Sequence, residues 1–243
     1  MRTTFVGDIH MDLRFAMRVL EHAREAGSEV VFSAGDFGYW PHIEDGPEFI
    51  ESVDCVAADF GITVYWIDGN HENHDAINMM VREHGMKAPI PTPATMGGEG
   101  LKHVLYVPRG CVLQLGDTSV MGFGGAASVD RFVRVLGLDW WPSELITEQQ
   151  VWGLEVPQKV DILVTHEVPE SALDQRIMRW KSEDPVSVEQ TRYVEAIARR
   201  VNPGRMICGH YHVRACGSLD DIRVDILAHN YSTVRSATLT LEL

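Results

Sequence analysis

The chain has 243 residues, of which 45% are hydrophobic and 23% are charged, as expected for one globular domain with a large core. Its formal net charge of −14 argues against sequence-independent binding to nucleic acid or to an anionic membrane, since both would repel it. Four cysteines without a CxxC pair predict reduced thiols in a cytoplasmic protein, and no apolar run approaches the ~20 residues of a membrane span.

The first third of the chain predicts alternating strands and helices. Residues 3–6, 30–32 and 62–67 are short apolar runs typical of buried strands. Between them, residues 12–26 and 47–60 have the spacing of amphipathic helices, and each is followed by a glycine. This βαβαβ order implies right-handed crossovers and a largely parallel sheet.

The middle of the chain is less regular. Residues 73–83 have a helical pattern, and residues 88–100 are rich in proline and glycine, which predicts a surface loop. Residues 104–123 suggest short antiparallel strands around glycine turns. Residues 124–157 are predicted to form an insert able to cover a site. We therefore expect a single domain over residues 1–243 with a cap insert at about 124–157.

The last third returns to regular elements. Residues 160–164 are a buried apolar run, and residues 187–201 begin with Ser-x-x-Gln, a helix-start pattern. Residues 206–208 form another short apolar run. The alternation over residues 215–241 predicts strands that close a second sheet.

Five of these apolar runs end in side chains that commonly bind metals. Ligands of α/β proteins bind beyond the carboxyl ends of the strands, so separate motifs at those ends converge on one crevice. The donors are too many for one ion and suit two ions bridged by a carboxylate, about 3.5–4 Å apart. Their oxygen and nitrogen chemistry favours Mn, Fe, Zn or Ni. The residues are Asp8 and His10, Asp36, Asn70 and His71, His166, and His210 and His212.

Such a pair of ions would acidify a bridging water and neutralise the charge of a phosphate during in-line displacement. The remaining task is protonation of the leaving oxygen, which suits an imidazole close to its ordinary pKa. The pattern therefore predicts hydrolysis of a phosphate ester.

The order of the motifs resembles the calcineurin-like metallophosphoesterase superfamily. Its blocks D-x-H, G-D, G-N-H-[DE], H and G-H-x-H all occur here in order between residues 8 and 212. The resemblance implies an α/β fold, a four-layer α/β/β/α sandwich with mixed sheets flanked by helices. It also implies a first metal held by Asp8, His10 and His212, a second held by Asn70, His166 and His210, a bridging Asp36, and a proton-donating His71.

One block departs from the protein-phosphatase branch of that superfamily. That branch has G-D-x-x-D-R-G, whereas Asp36 is followed here by Phe-Gly-Tyr-Trp-Pro, which disfavours protein dephosphorylation. Glu72 has two interpretations, a partner of a metal ligand or an acid favoured by a helix N-terminus. Arg131 is predicted to bind substrate phosphate, although it and Arg134 suit a surface ion pair equally.

We therefore expect a phosphodiesterase that acts on small substrates such as cyclic nucleotides. The expected cofactors are two divalent ions, with Mn favoured, and the expected nucleophile is a hydroxide that bridges them. One alternative is a phosphomonoesterase, including a serine/threonine protein phosphatase. Another is a binding scaffold without chemistry. A nuclease fits the motifs, but the net charge of −14 counts against it. The expected partner is a small phosphate ester, without a membrane, and the sequence leaves the oligomeric state open.

Overall fold

The computed structural model describes residues 1–156, 159–173 and 183–243. Within them, one six-stranded sheet has the order β12-β1-β2-β3-β5-β4. Its inner strands β1, β2, β3 and β5 are parallel, and the two edge strands are antiparallel to their neighbours. The strands are β1 Arg2–Val6, β2 Val30–Ser33, β3 Thr63–Trp66, β4 Ile90–Pro93, β5 Gly100–Tyr106 and β12 Thr238–Glu242.

The second six-stranded sheet has the order β10-β11-β9-β8-β7-β6. It repeats the same plan, with four parallel inner strands and an antiparallel strand at each edge. The strands are β6 Val112–Leu115, β7 Thr118–Phe123, β8 Ile162–Thr165, β9 Arg205–Cys208, β10 Ala215–Leu219 and β11 Ile222–Ile226.

Helices cover the outer faces of both sheets. Asp12 caps the first helix by accepting a hydrogen bond from the Phe15 N–H at 2.9 Å, and Asn73 caps the third by the same contact with the Ala76 N–H at 3.0 Å. Such caps satisfy backbone donors that the first turn leaves free. The helices are α1 Leu13–Glu25, α2 Gly46–Phe60, α3 His74–His84, α4 Glu148–Trp152, α5 Pro185–Val201 and α6 Val234–Ala237.

The core has three layers because successive strand residues point to opposite faces of each sheet. Phe5 and Phe32 of the first sheet pack with Val164 of the second between the two sheets. The neighbouring positions turn the other way: Val31 faces α1 and α2, and Leu163 faces α5. The fold is therefore two mixed sheets packed on each other and flanked by helices, and the predicted fold class is confirmed.

The predicted βαβαβ order of the first third is confirmed, whereas one prediction in the middle of the chain is wrong and another is correct only in part. The loop predicted over residues 88–100 contains β4, whose prolines are tolerated because β4 is an edge strand. The antiparallel strands predicted over residues 104–123 are confirmed for β6 and β7, which form a hairpin in the second sheet. The prediction is wrong for β5, which pairs in parallel with β3 in the first sheet.

The described part of the insert, residues 124–156, holds two 3₁₀ turns, Arg131–Val133 and Pro142–Glu144, and the short helix α4. Residue 157, the predicted end of the insert, lies outside the described residues. That residues 124–157 form a cap insert distinct from the rest of the domain stays a prediction. Across the described ranges, no helix combines the length and apolar character needed to cross a membrane.

Candidate metal centre

The predicted ligands come together where the loops after five parallel strands meet. Those loops follow β1, β2 and β3 of one sheet and β8 and β9 of the other. The metal-binding side-chain types there form three overlapping groups whose ligand atoms lie within 4.8 Å of one another: Asp8, His10 and His212; His10, Asp36 and His71; and Asp8, Asp36 and His166.

Several of these residues adopt a left-handed backbone conformation that L-amino acids seldom take. The φ angles are 52° at His10, 47° at Asp36, 68° at His210 and 56° at His212. Strain of this kind persists only where the surrounding structure enforces it, and it concentrates at functional sites. Tight packing is part of that enforcement, because a Cβ on Gly69 would lie 2.2 Å from Asp36 Oδ1.

The first group of donors is Asp8, His10 and His212. Asp8 Oδ2 lies 3.0 Å from His212 Nε2 and 3.8 Å from His10 Nε2, and the two imidazole nitrogens are 3.2 Å apart. Asp8 is fully buried, and among the described residues no donor is aligned on its Oδ2. A buried carboxylate oxygen without a hydrogen bond, facing two imidazole nitrogens, suits a divalent cation.

The second group is built around His166, which is completely buried. Its Nδ1 donates to the Ala34 carbonyl at 2.8 Å, which leaves Nε2 facing Asn70 Oδ1 at 3.2 Å and Asp36 Oδ2 at 3.3 Å. Burial alone would lower the pKa of His166, but the Asp36 carboxylate raises it to about 10. Without a metal, Nε2 therefore carries a proton between two acceptors, and a cation can take that place.

Asp36 joins the two groups. Its Oδ1 accepts the backbone N–H of Asn70 at 2.9 Å and of His71 at 2.8 Å. Its Oδ2 is 3.8 Å from His10 Nδ1 in addition to its contact with His166. Burial opposes ionisation, but these imidazoles hold the pKa of Asp36 well below its usual range. A buried, ionised carboxylate between two donor sets has the position expected of a bridge.

His210 lies beside both groups. Its backbone N–H donates to Asp8 Oδ1 at 3.0 Å, and its ring centroid is 4.9 Å from that of His166. Its Nε2 is 3.6 Å from Oε2 of Glu167, a buried acid that the sequence did not single out. Burial raises the pKa of Glu167 to about 7. The roles of His210 and the other ligands stay predictions.

His71 faces the cavity next to the guanidinium of Arg134. Its ring is 5.0 Å from that of His10, and its Nε2 accepts a hydrogen bond from Arg134 Nη2 at 2.9 Å. Burial, opposed by Asp36 and reinforced by Arg134, lowers the pKa of His71 to about 4. The imidazole is therefore neutral here, and Nε2 is its acceptor nitrogen.

Arg131, the predicted substrate-binding residue, is not brought to the cavity. Its guanidinium donates to both carboxylate oxygens of Asp184, at 3.0 and 2.7 Å, at the start of α5. Arg134, later in the same loop, lines the cavity instead and pairs with Asp130 at 2.8 Å. Its side chain is only 8% exposed. The insert therefore does present an arginine to the site, but at a different position from the predicted one.

Glu72 forms hydrogen bonds to the two loops that carry Asp36 and Asn70. Its fully buried carboxylate accepts the Gly38 N–H at 3.1 Å and the Gly69 N–H at 2.6 Å. Burial and the nearby Asp36 raise its pKa well above the usual range. These contacts are with backbone N–H groups and not with a ligand side chain, so the structure shows a support of the ligand-bearing loops that neither interpretation described.

The cavity above these groups has a volume of about 670 Å³. The insert contributes Val129, Asp130 and Arg134 to its wall, and His229 closes another side by stacking on His212 with ring centroids 4.2 Å apart. His229 lies near the end of a late strand and belongs to none of the five motif blocks, and it was not predicted as a site residue.

Comparison with known proteins bears on this geometry. A model of the calcineurin-like phosphoesterase family matches residues 1–214. The human and mouse proteins called metallophosphoesterase domain-containing protein 1 are each 25% identical to this chain over 223 residues. The alignment covers 85% of this chain but 62% of each relative, so the chain spans under two thirds of their length.

Solved structures with low sequence identity share the fold. TT1561 of Thermus thermophilus aligns with a TM-score of 0.58 and 11% identity, over 99% of this chain and 98% of that one. The phosphopantetheinyl hydrolase PptH of Mycobacterium tuberculosis aligns with a TM-score of 0.51 and 14% identity, over 99% and 96%.

Proposed function

The chain belongs to the calcineurin-like phosphoesterase family, and from this premise we propose that it is a dinuclear phosphodiesterase acting on small substrates such as cyclic nucleotides. The family uses divalent metals and hydrolyses phosphoesters, and the candidate metal-binding groups described above fit that chemistry. The observation that carries the proposal is the position of the buried Asp36 carboxylate between His10 of one donor set and His166 of the other.

In this proposal Asp8, His10 and His212 hold one ion, Asn70, His166 and His210 hold the other, and Asp36 serves both. The donors are imidazole nitrogens, carboxylates and one amide oxygen, which suit Mn and also Fe, Zn or Ni. When bound, the ions supply a nucleophile at neutral pH and offset the negative charge of the phosphate. We propose Mn as the resident metal.

The residues around the ions then act on the substrate. Arg134 exchanges its hydrogen bond to His71 for bonds to a phosphate oxygen, since a guanidinium recognises both. This frees His71 Nε2, which is the acceptor nitrogen of a neutral ring, to take up a proton from water in the cavity and deliver it to the leaving oxygen. Residues 124–157 act as the cap that supplies Arg134 and limits access to the cavity.

The charge of the cavity favours a diester over a monoester. Of the described residues that line it, Arg134 is the only lysine or arginine, while Asp36, Asp130 and Glu167 are acidic. The two ions would attract both kinds of ester, and beyond them the protein offers one guanidinium, which matches the single charge of a diester better than the double charge of a monoester. The missing Asp-Arg after Asp36 and the net charge of −14 also disfavour protein dephosphorylation.

The test is a comparison of two chromogenic substrates by the Mn-reconstituted protein. We expect bis-p-nitrophenyl phosphate to be hydrolysed faster than p-nitrophenyl phosphate, and Asp36→Asn to abolish both activities. Preference for the monoester would favour the alternative of a phosphomonoesterase. Bound metal without turnover of either substrate would favour a binding scaffold.

We also propose a cytoplasmic location. The four cysteines are free thiols, and two of them, Cys111 and Cys208, are buried in the core. Reduced thiols are typical of that compartment. Cell fractionation tests this, and recovery with a secreted or membrane fraction would contradict it.

A further inference from the structure

The side chain of Asn70 has two ends, and only one of them can bind a metal. The amide oxygen is a ligand, whereas the NH₂ group can only donate hydrogen bonds. In the structure Oδ1 faces His166 Nε2 at 3.2 Å, and Nδ2 donates to Ser128 Oγ at 3.2 Å. The partner of Nδ2 therefore decides which end of the amide faces the metal centre.

The hydroxyl of Ser128 can accept from Asn70 because its own proton is committed elsewhere. Ser128 Oγ donates to Glu144 Oε2 at 2.8 Å, and the Ser128 N–H donates to Glu144 Oε1 at 2.7 Å. An ionised carboxylate only accepts, so the hydroxyl proton must point to Glu144 and the oxygen lone pairs to Asn70. Ser128 and Glu144 are 1% and 0% exposed, so solvent does not compete for these bonds.

Glu144 is itself fixed to the strand end that carries Asn70. Its carbonyl oxygen accepts from Arg109 Nη2 at 2.9 Å. Arg109 also forms a buried ion pair with Asp68 at 2.6 Å, and Asp68 lies just before Asn70 in the same loop. The contacts close a ring that runs from Asn70 through Ser128, Glu144 and Arg109 back to Asp68.

We propose that Ser128 and Glu144 are positioning residues that hold the amide of Asn70 with its oxygen toward the second metal, so that the insert sets the affinity of that ion. Neither residue belongs to the motif blocks, and neither touches the reacting atoms. The inference rests on the proposed role of Asn70 as a ligand. If it is correct, residues 124–156 help to form the metal centre, by positioning Asn70, in addition to lining the cavity above it.

The experiment is a calorimetric titration of the metal-free protein with Mn²⁺ at about pH 8, where Glu144 is ionised. We expect Ser128→Ala and Glu144→Gln each to weaken binding of one of the two ions about 10- to 100-fold, the range found when a partner of a metal ligand is removed. The other ion should bind as in the unmodified protein.

Ser143→Ala is the matched control. Ser143 lies in the same insert and accepts a comparable hydrogen bond, from Asn78 Nδ2 at 3.1 Å, but it does not contact Asn70. This variant should bind both ions normally. Circular dichroism of the metal-free variants checks folding, and Ser128→Ala, a deletion of one oxygen, covers the case in which Glu144→Gln fails to fold.

Two negative results have different meanings. If the unmodified protein binds two ions and Ser128→Ala binds both with unchanged affinity, the positioning role is wrong and the proposed function stands. If the unmodified protein binds no Mn²⁺, the proposed dinuclear centre fails as well.

Discussion

His71 is the predicted proton donor. A variant that tests this role must lose activity while it keeps its bound metal. The His71 ring meets that of His10 edge to face, and its side chain accepts a hydrogen bond from Arg134 of the insert at 2.9 Å. We expect His71→Ala to lower kcat by at least ~10²-fold, the usual contribution of a general acid. Metal content, measured by atomic emission, should remain unchanged. Full activity in this variant would remove His71 from the mechanism.

Arg134 and Arg131 form a natural pair for mutagenesis, because the two side chains share one loop and differ in their surroundings. Arg134→Ala should raise KM for a phosphodiester about 10- to 100-fold, as expected when a charged hydrogen bond of about 1.5–3 kcal/mol is lost. Arg131→Ala is the control, since Arg131 is bound to Asp184, and should leave KM unchanged. The opposite result would restore the original prediction for Arg131.

The sequence was sufficient to predict which donor side chains come together and insufficient to predict which of these two arginines faces the cavity. Asp36, Asn70 and His166 each follow an apolar strand. The carboxyl ends of parallel strands lie at the same edge of a sheet, so the residues that follow them are brought together. Arg131 and Arg134 lie in an irregular loop, where no periodicity relates sequence position to direction. Which one faces the cavity is settled by the contact of Arg131 with Asp184, a residue 53 positions away.

At the scale of elements, Arg109 fastens the insert to the first sheet. It donates to Asp68 at the end of β3 and to the carbonyls of Ser143, Glu144 and Leu145. Breaking a buried ion pair from one side costs about 3–5 kcal/mol, since the other charge is left uncompensated. We expect Arg109→Met to lower the free energy of unfolding by that amount, as measured by urea denaturation.

The control for this prediction is an exposed pair of the same chemistry. Arg199, with a side chain 47% exposed, pairs with Glu195 at 2.9 Å on α5 and also with the exposed Asp220. Arg199→Met should cost no more than about 1 kcal/mol. Equal losses in the two variants would mean that the Arg109 contacts contribute no more than a surface ion pair.

The connection between the insert and the core should also show in the pH dependence of stability. Burial raises the pKa of Glu144 from 4.5 to about 7, although its hydrogen bonds with Ser128 oppose this. Between those values the folded state binds more protons than the unfolded state, so stability falls as the pH rises. Glutamine does not titrate. The difference in unfolding free energy, unmodified protein minus Glu144→Gln, should therefore decrease from pH 4.5 to about 7 and then level off.

Urea denaturation in EDTA at a series of pH values measures that difference without interference from metal. A difference that does not change with pH would mean that Glu144 titrates near its ordinary pKa in the folded protein.

Helices and strands were predicted best where the spacing of apolar residues within the element itself determines its type. The helices α1 and α2 and the strands between them follow directly from apolar spacing and from caps such as Asp12. β4 was missed because Pro91 and Pro93 argue against a strand unless it is known to lie at an edge. The crossing from β5 to β6 was missed because periodicity does not tell which sheet a strand joins.

At the scale of the whole molecule, the candidate centre lies where the two sheets meet. Asp8, Asp36 and Asn70 follow strands of the first sheet, whereas His166 and His210 follow strands of the second. The stacking of two sheets was implied by the family resemblance, because apolar periodicity alone shows only that each strand is buried. Ions held at this point would join both sheets, so metal binding and the stability of the entire fold are linked.

This linkage gives a quantitative expectation. A ligand that binds only the folded state stabilises it by about 2.7 kcal/mol at a free concentration of about 100 Kd. For a domain of this size, each kcal/mol raises Tm by about 2–4 °C. Mn²⁺ should therefore raise Tm by about 5–10 °C in a concentration-dependent manner, and EDTA should reverse the shift.

Asp36→Asn is the informative variant for this measurement. Its amide oxygen can still accept the backbone N–H groups of Asn70 and His71, so the metal-free fold should be retained. It lacks the charge that two cations would share, and most of the Mn²⁺-dependent rise in Tm should disappear. If instead Tm in the unmodified protein is the same with Mn²⁺ and with EDTA, ions do not join the two sheets, because any tight ligand of the folded state must shift the unfolding equilibrium.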